Sequence, residues 1–172
     1  MPRGFRILLA TFMLALGACA STPVPTAAPV LAFVVVRHAE KATDDARDPS
    51  LSEAGKARAE ALAGLLRDRD VVAAYATGFR RTRDTAAPTA VAHAVTITPY
   101  DAAGPAEAFA ARLRREHASG TVLVVGHSNT VPGIVSALCA CEVAPIDESD
   151  YGNLYEVRIG ADGVARLDRQ RY

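Results

Sequence analysis

Neither sign of charge predominates in this chain: nineteen Lys and Arg stand against nineteen Asp and Glu in 172 residues. A nucleic-acid binder carries a concentrated basic surface, and this balance argues against that class. Glycine (12) and proline (10) are too few for a low-complexity or fibrous chain. No apolar run reaches the roughly twenty residues that a bilayer span requires. Cysteine is limited to three. Two of these, Cys139 and Cys141, are one residue apart, so a bridge between them would close a very tight ring. A metal site built on the pair would need further ligands, and none lie near in sequence. They are expected to be small buried hydrophobes at or just after a helix. Half of the residues are hydrophobic and 22% are charged, the composition of one ordinary globular domain.

The N-terminal segment stands apart. Arg3 and Arg6 precede an apolar run from Ile7 to Leu16, followed by Gly17, Ala18 and Cys19. A positive start, a short apolar centre and small residues before the break describe an export signal over 1–18. Leu16-Gly17-Ala18-Cys19 also resembles the bacterial lipobox, which implies lipidation of Cys19 as the new N-terminus. The absence of Asp after that Cys resembles the form directed to the outer membrane. The expected location is therefore the cell envelope, facing the periplasm, with membrane contact through the N-terminal lipid only. Residues 19–29 include Ser-Thr-Pro-Val-Pro-Thr-Ala-Ala-Pro and read as a semi-rigid tether. The folded domain is expected over 30–172.

Strand and helix patterns then alternate. Leu31–Val36 and Thr121–Val125 are continuous apolar runs, as in parallel strands buried on both faces. Val71–Ala76 and Val95–Thr98 are shorter strand candidates. Helices are predicted over Ser52–Arg67, Arg80–Val91, Ala106–His117 and Thr130–Leu138. In the first of them Ala61, Leu62, Leu65 and Leu66 are expected inward and Lys56, Arg58 and Glu60 outward. Leu154–Ile159 and Val164–Leu167 alternate around Gly160-Ala161-Asp162-Gly163, a hairpin signal. The fold class is α/β: a three-layer sandwich with a mostly parallel sheet and a C-terminal antiparallel hairpin.

In such sheets functional residues collect past the C-terminal strand ends. The first strand delivers Arg37-His38-Ala39-Glu40-Lys41. The second leads to Thr77 and the run Arg80-Arg81-Thr82-Arg83. The fourth ends in Gly126-His127-Ser128-Asn129-Thr130. Two imidazoles and several guanidinium groups at one sheet edge suit a compact dianion, because phosphoryl transfer needs cations around the equatorial oxygens. Arg offers planar, multi-donor contact to phosphate. A neutral imidazole is a competent nucleophile, and neighbouring guanidinium groups disfavour its protonation.

Taken together, these segments resemble the histidine phosphatase superfamily, the phosphoglycerate mutase-like group. Arg37-His38-Ala39-Glu40 matches its Arg-His-Gly-Glu motif with Ala for Gly. Leu51-Ser52-Glu53-Ala54-Gly55 is similar to its Leu-Thr/Ser-x-x-Gly stretch. Thr77 to Ala86 resembles its Ser-x-x-x-Arg-Ala-x-Gln-Thr-Ala pattern, and Gly126-His127-Ser128 its second-histidine motif. The resemblance implies that His38 is the phosphoryl-accepting nucleophile, with Arg37, Arg81 and His127 completing the phosphate pocket. It selects Arg81 over Arg80, which becomes a rim or surface residue. It places the leaving-group acid beyond the third strand, where Asp101 is favoured and Glu107 is the competitor. Glu107 also has a plain reading as an early helical acid facing the helix dipole. Lys41 stands where Ser or Thr is usual, and Asp44 where sugar-phosphate mutases often carry Asn, so hydrolysis is favoured over mutase chemistry.

Outside this group, His93 and His117 read as packed or solvated residues, and Arg112, Arg114 and Arg115 as a solvated face. Gly126-His127-Ser128-Asn129-Thr130 approaches the nucleophile elbow of serine hydrolases, but no His follows Ser128, which that triad order requires. His38-Ala39-Glu40 lacks the two-His helical spacing of a zinc protease. The sequence therefore predicts a phosphomonoester hydrolase without metal or cofactor, acting on a phosphorylated small molecule or a phosphoprotein. A non-catalytic phospho-ligand-binding lipoprotein and a mutase-type phosphotransferase are the alternatives. No cap domain fits between Arg81 and His127, so the site is expected to be shallow and open.

Overall fold

The computed structural model describes Met1 and residues 31–172. The predicted signal over 1–18, Cys19 and the tether over 19–29 lie outside the described residues, apart from Met1. The elements run β1 (Leu31–Arg37), α1 (Glu53–Leu66), β2 (Val71–Ala76), α2 (Arg80–Ala92), β3 (Ile97–Pro99), α3 (Ala106–Glu116), β4 (Gly120–Gly126), α4 (Val131–Cys139), β5 (Asn153–Ile159) and β6 (Ala165–Arg171). Among the described residues, no helix is long and apolar enough to cross a membrane.

The six strands form one sheet in the order β3-β2-β4-β1-β5-β6. The first four are parallel, with Leu31 opposite Gly120 and Arg37 opposite Gly126. β5 runs antiparallel to β1, pairing Leu154 with Val36, and β6 closes the hairpin against β5. The apolar runs of β1 and β4 are explained by layers on both faces. On one side α3 and α4 place Leu113, Ile134, Val135 and Leu138 against Phe33, Val35, Val122 and Val124. On the other, α1 and α2 place Leu62, Leu66, Ala86 and Ala90 against Val34, Val36, Leu123 and Val125. The architecture is the three-layer α/β sandwich with a C-terminal hairpin that the sequence predicts.

Several details differ from the sequence reading. Leu65 and Ala61 face solvent, and the buried line of α1 is Gly55, Ala59, Leu62 and Leu66. The reason is a close approach at Gly55, where a Cβ would lie 2.3 Å from the carbonyl oxygen of Glu40 and so sets which face turns inward. Ser52 caps this helix by accepting from the Gly55 amide at 3.1 Å. β3 begins at Ile97, leaving Val95 and Thr96 outside it. β5 is buried on both faces from Asn153 to Val157, where alternation predicts one exposed face; inward-facing Glu156 is paired with Arg69. Cys139 and Cys141 are joined as a disulfide rather than resting as free thiols. Ala140 between them adopts the left-handed conformation (φ 52°) that ends α4, and this turn brings the two Cα atoms to 5.2 Å. Arg114 does not merely face solvent, since its guanidinium donates to the Leu138 carbonyl and ties α3 to α4.

Candidate active site

Adjacency of β1 and β4 places His38 and His127 side by side, each one residue beyond its strand. The His38 amide donates to the Gly126 carbonyl at 2.9 Å, and the rings meet edge to face at 5.3 Å. His38 is 3% exposed. Its Nδ1 lies 2.8 Å from the Ala39 carbonyl oxygen, which can only accept, so Nδ1 carries the proton and Nε2 keeps its lone pair. Burial foremost, with His127, Arg37 and Arg81 nearby, pushes the His38 pKa down to about 3 against the opposing Ala39 bond. Burial, then Arg81 and Arg37, lowers His127 to about 4. Both rings are neutral near neutral pH. The Nε2 of His127 lies 3.0 Å from Thr77 Oγ1 at the end of β2. A Thr77 hydroxyl donating there leaves Nδ1–H as the donor of the neutral ring.

Arg81, in the first turn of α2, lines the same cavity of about 380 Å³ as His38, His127, Lys41, Ser128 and Glu148. Its guanidinium stacks over Phe79 at 4.2 Å and lies 3.8 Å from Asp48. Arg80 points to the rim beside Asp44 at 3.8 Å. Arg37 is 1% exposed and sits beneath the floor. Its Nη1 donates to the carbonyls of Asp147 (3.0 Å), Glu148 (2.8 Å) and Asp150 (3.1 Å), and its Nη2 to Glu148 Oε2 (3.0 Å). The Tyr151 ring covers that guanidinium at 4.0 Å. The Nε atoms of Arg37 and Arg81 are buried yet have no partner among the described residues. A buried guanidinium N–H without an acceptor is costly unless a ligand supplies one.

Asp101 does not line this cavity. It lies in an adjoining chamber with Tyr100, Phe109 and Gly133, and its Oδ1 accepts from the Ala103 amide at 2.9 Å. The two spaces share Ala102, Asn129 and Thr130 as walls. Glu107 lies farther along α3, beside the disulfide. The carboxylate that does reach the histidines' cavity is Glu148, which the sequence analysis did not single out. Ser128 donates its hydroxyl to Glu148 Oε1. That bond, aided by Arg37, Lys41 and His38, holds the Glu148 carboxyl below its usual range, so it is ionised at neutral pH. The signal that finds it is the pairing of β5 with β1. An antiparallel neighbour must start where β1 ends, which delivers residues 147–152 to the site.

The remaining motif residues support the loop after β1. Glu40 receives Arg58 at two oxygens, with distances of 2.7 to 3.0 Å, and Ala39 donates its amide to Thr85 Oγ1 at 2.9 Å. His93 donates from Nε2 to the Leu66 carbonyl, and the Nε2 of His117 bonds the Tyr75 hydroxyl, both away from the cavity. Among the described residues no three His, Cys, Asp or Glu side chains converge as a metal site would need.

This sheet order is that of the phosphoglycerate mutase-like α/β fold. Residues 33–103, somewhat under half of the chain, match the model of the histidine phosphatase superfamily (branch 1). No curated protein sequence matches the chain. Among solved structures, the protein histidine phosphatase SixA complexed with tungstate is similar with a TM-score of 0.67 at 19% identity, covering 81% of this chain and 96% of that one. A mycobacterial glucosyl-3-phosphoglycerate phosphatase gives 0.58 at 16% identity, covering 83% and 98%. Phosphoglycerate mutase from Bacillus anthracis gives 0.59 at 16% identity, covering 83% and 93%. The three names cover different reactions and substrates, so the shared fold leaves this chain's substrate to its own site.

Proposed function

We propose that the chain is a phosphomonoester hydrolase that works through a phosphohistidine on His38. The observation that carries this reading is the neutral imidazole of His38, its Nε2 free, sharing one cavity with His127 and Arg81, with the Arg37 guanidinium buried beneath and its Nε without a partner among the described residues. The Nε2 lone pair of His38 attacks phosphorus, and the bond to the leaving oxygen breaks with its electron pair on that oxygen. Arg37 Nε–H, Arg81 Nε–H and His127 Nδ1–H take the charge that develops on the phosphoryl oxygens. Asp101 gives its proton to the leaving oxygen. Support for Asp101 over Glu148 is positional: Asp101 lines the neighbouring chamber that a leaving group would enter, whereas Glu148 is already held by Ser128 and Arg37. Water then attacks the phosphohistidine, the N–P bond breaks, the electron pair returns to Nε2, and the proton lost by water restores Asp101.

The same reading places the protein in the cell envelope, exported and lipid-anchored at Cys19, with a phosphorylated small molecule or phosphoprotein as substrate. The Cys139–Cys141 disulfide supports an oxidising compartment. The test is hydrolysis of p-nitrophenyl phosphate in the presence of EDTA, with His38→Ala and His127→Ala alongside. Turnover that survives the chelator and disappears in His38→Ala is the expected result. Equal activity in wild type and His38→Ala would overturn the mechanism, and an inert wild type would favour the phospho-ligand-binding alternative.

A further inference from the structure

The chamber next to the histidines' cavity has a shape and lining of its own. It is formed by the loop after β3 and the facing sides of α3 and α4, and it holds about 170 Å³. Tyr100 and Phe109 stack there nearly parallel, with centroids 4.2 Å apart and planes 9° off. Ala102, Ala106 and Ile134 add apolar walls, and Gly133 contributes no side chain. The closeness of α3 to α4 leaves little slack, since a Cβ on Gly133 would lie 3.3 Å from that of Ala106. Gly126 is equally constrained: a Cβ there would meet the Tyr100 and Thr130 hydroxyl oxygens at 2.8 Å, so Tyr100 is seated directly on the turn that carries His127. The chamber is thus held in register with the phosphate pocket through Tyr100, Ala102, Asn129 and Thr130.

Three properties bear on what fits. A cavity of about 150 Å³ holds one benzene-sized molecule, and this chamber, whose lining mixes polar and apolar groups, is of that size. The flat aromatic pair and the aliphatic side chains give a planar ring a surface to pack against. One carboxylate, Asp101, and the polar groups of Asn129 and Thr130 stand along the same lining. A group bridging from the phosphate pocket over Ala102 passes these polar residues before its apolar part enters.

We infer that the chamber lined by Tyr100, Ala106, Phe109 and Gly133 is a leaving-group subsite for a single planar ring, making an aryl or heteroaryl phosphate the preferred substrate class. This inference rests on the hydrolase reading above and deepens it. Ring and phosphoryl group occupy different cavities, so they can be tested separately.

The experiment is calorimetric titration of the purified protein with three non-hydrolysable probes: inorganic phosphate, methylphosphonate and phenylphosphonate. The set is repeated on Ala106→Leu, which fills the chamber from α3 and leaves every group of the phosphate pocket in place. Wild type should bind phenylphosphonate at least tenfold tighter than methylphosphonate. Ala106→Leu should erase that ratio while its affinity for inorganic phosphate stays within twofold of wild type. Phosphate binding with no phenyl preference in wild type would overturn the subsite and leave the hydrolase reading intact. A preference that survives Ala106→Leu would place the ring elsewhere and also overturn it. Failure of wild type to bind inorganic phosphate would instead remove the hydrolase reading itself. Retained phosphate affinity in Ala106→Leu serves as the control that the variant is folded.

Discussion

Acidification provides a direct test of the two neutral imidazoles, because a buried group that refuses a proton makes folding sensitive to pH. Burial holds the folded pKa of His38 at about 3, well below the ordinary 6.5 of an imidazole, and that of His127 at about 4. Between the folded and unfolded values the unfolded chain binds a proton that the native chain does not, so stability rises with pH in that window and falls as pH drops from 6.5. At pH of about 4.5, two units below the unfolded value, each imidazole costs the native state about 2.5 kcal/mol relative to neutral pH. That is a large share of the ~5–15 kcal/mol typical of a domain. His38→Gln removes one such cost and keeps a side chain of similar reach. Urea unfolding followed by circular dichroism, at pH 7 and at pH 4.5 in phosphate-free buffer, gives the comparison. The carboxylates titrate alike in both proteins. Wild type should therefore lose about 2.5 kcal/mol more than His38→Gln across that interval. Equal losses, within about 0.5 kcal/mol, would refute the claim that burial and the flanking guanidinium groups hold His38 neutral. The same neutrality governs turnover: the acid limb of kcat/KM should follow the second ionisation of the substrate phosphate near pH ~6 and not an imidazole.

Glu148→Gln removes the carboxylate that pairs with Arg37, so inorganic phosphate should inhibit the variant about fivefold more strongly, an effect of about 1 kcal/mol for a buried guanidinium paired with a largely exposed carboxylate. A hundredfold fall in kcat at unchanged KM would instead make Glu148 the proton donor and remove Asp101 from that role. For the N-terminus, Cys19→Ser should move the protein from the membrane fraction to the soluble fraction of the producing cells. Retention of the variant in membranes would sink the lipid-anchor proposal.

Much of this protein is legible in short stretches of its sequence. β1 and β4 announce themselves as unbroken apolar runs because helices cover both faces of the sheet at their positions. His38, Arg37 and His127 follow those strands directly, so local pattern and the strand-end rule suffice to bring them to one edge. The motif that Thr77-Gly78-Phe79-Arg80-Arg81 resembles singles out Arg81, which lines the cavity, from Arg80 at the rim, and successive helical positions do face different ways. What local pattern could not supply is pairing between distant segments. The disulfide depends on the left-handed turn at Ala140, a backbone choice that no residue type there demands. The exposure of Leu65 follows from the contact of Gly55 with Glu40. Glu148 and Tyr151 reach Arg37 only because β5 enters the sheet antiparallel to β1, across 111 positions in the case of Glu148. Sequence by itself determined the strands, the helices and the histidines and arginines attached to them, because each rests on hydrophobic periodicity or on neighbours along the chain. The tertiary structure alone decided which carboxylate faces the histidines and how large a space lies beside them. Both depend on packing between elements far apart in the chain, and no local periodicity encodes that packing.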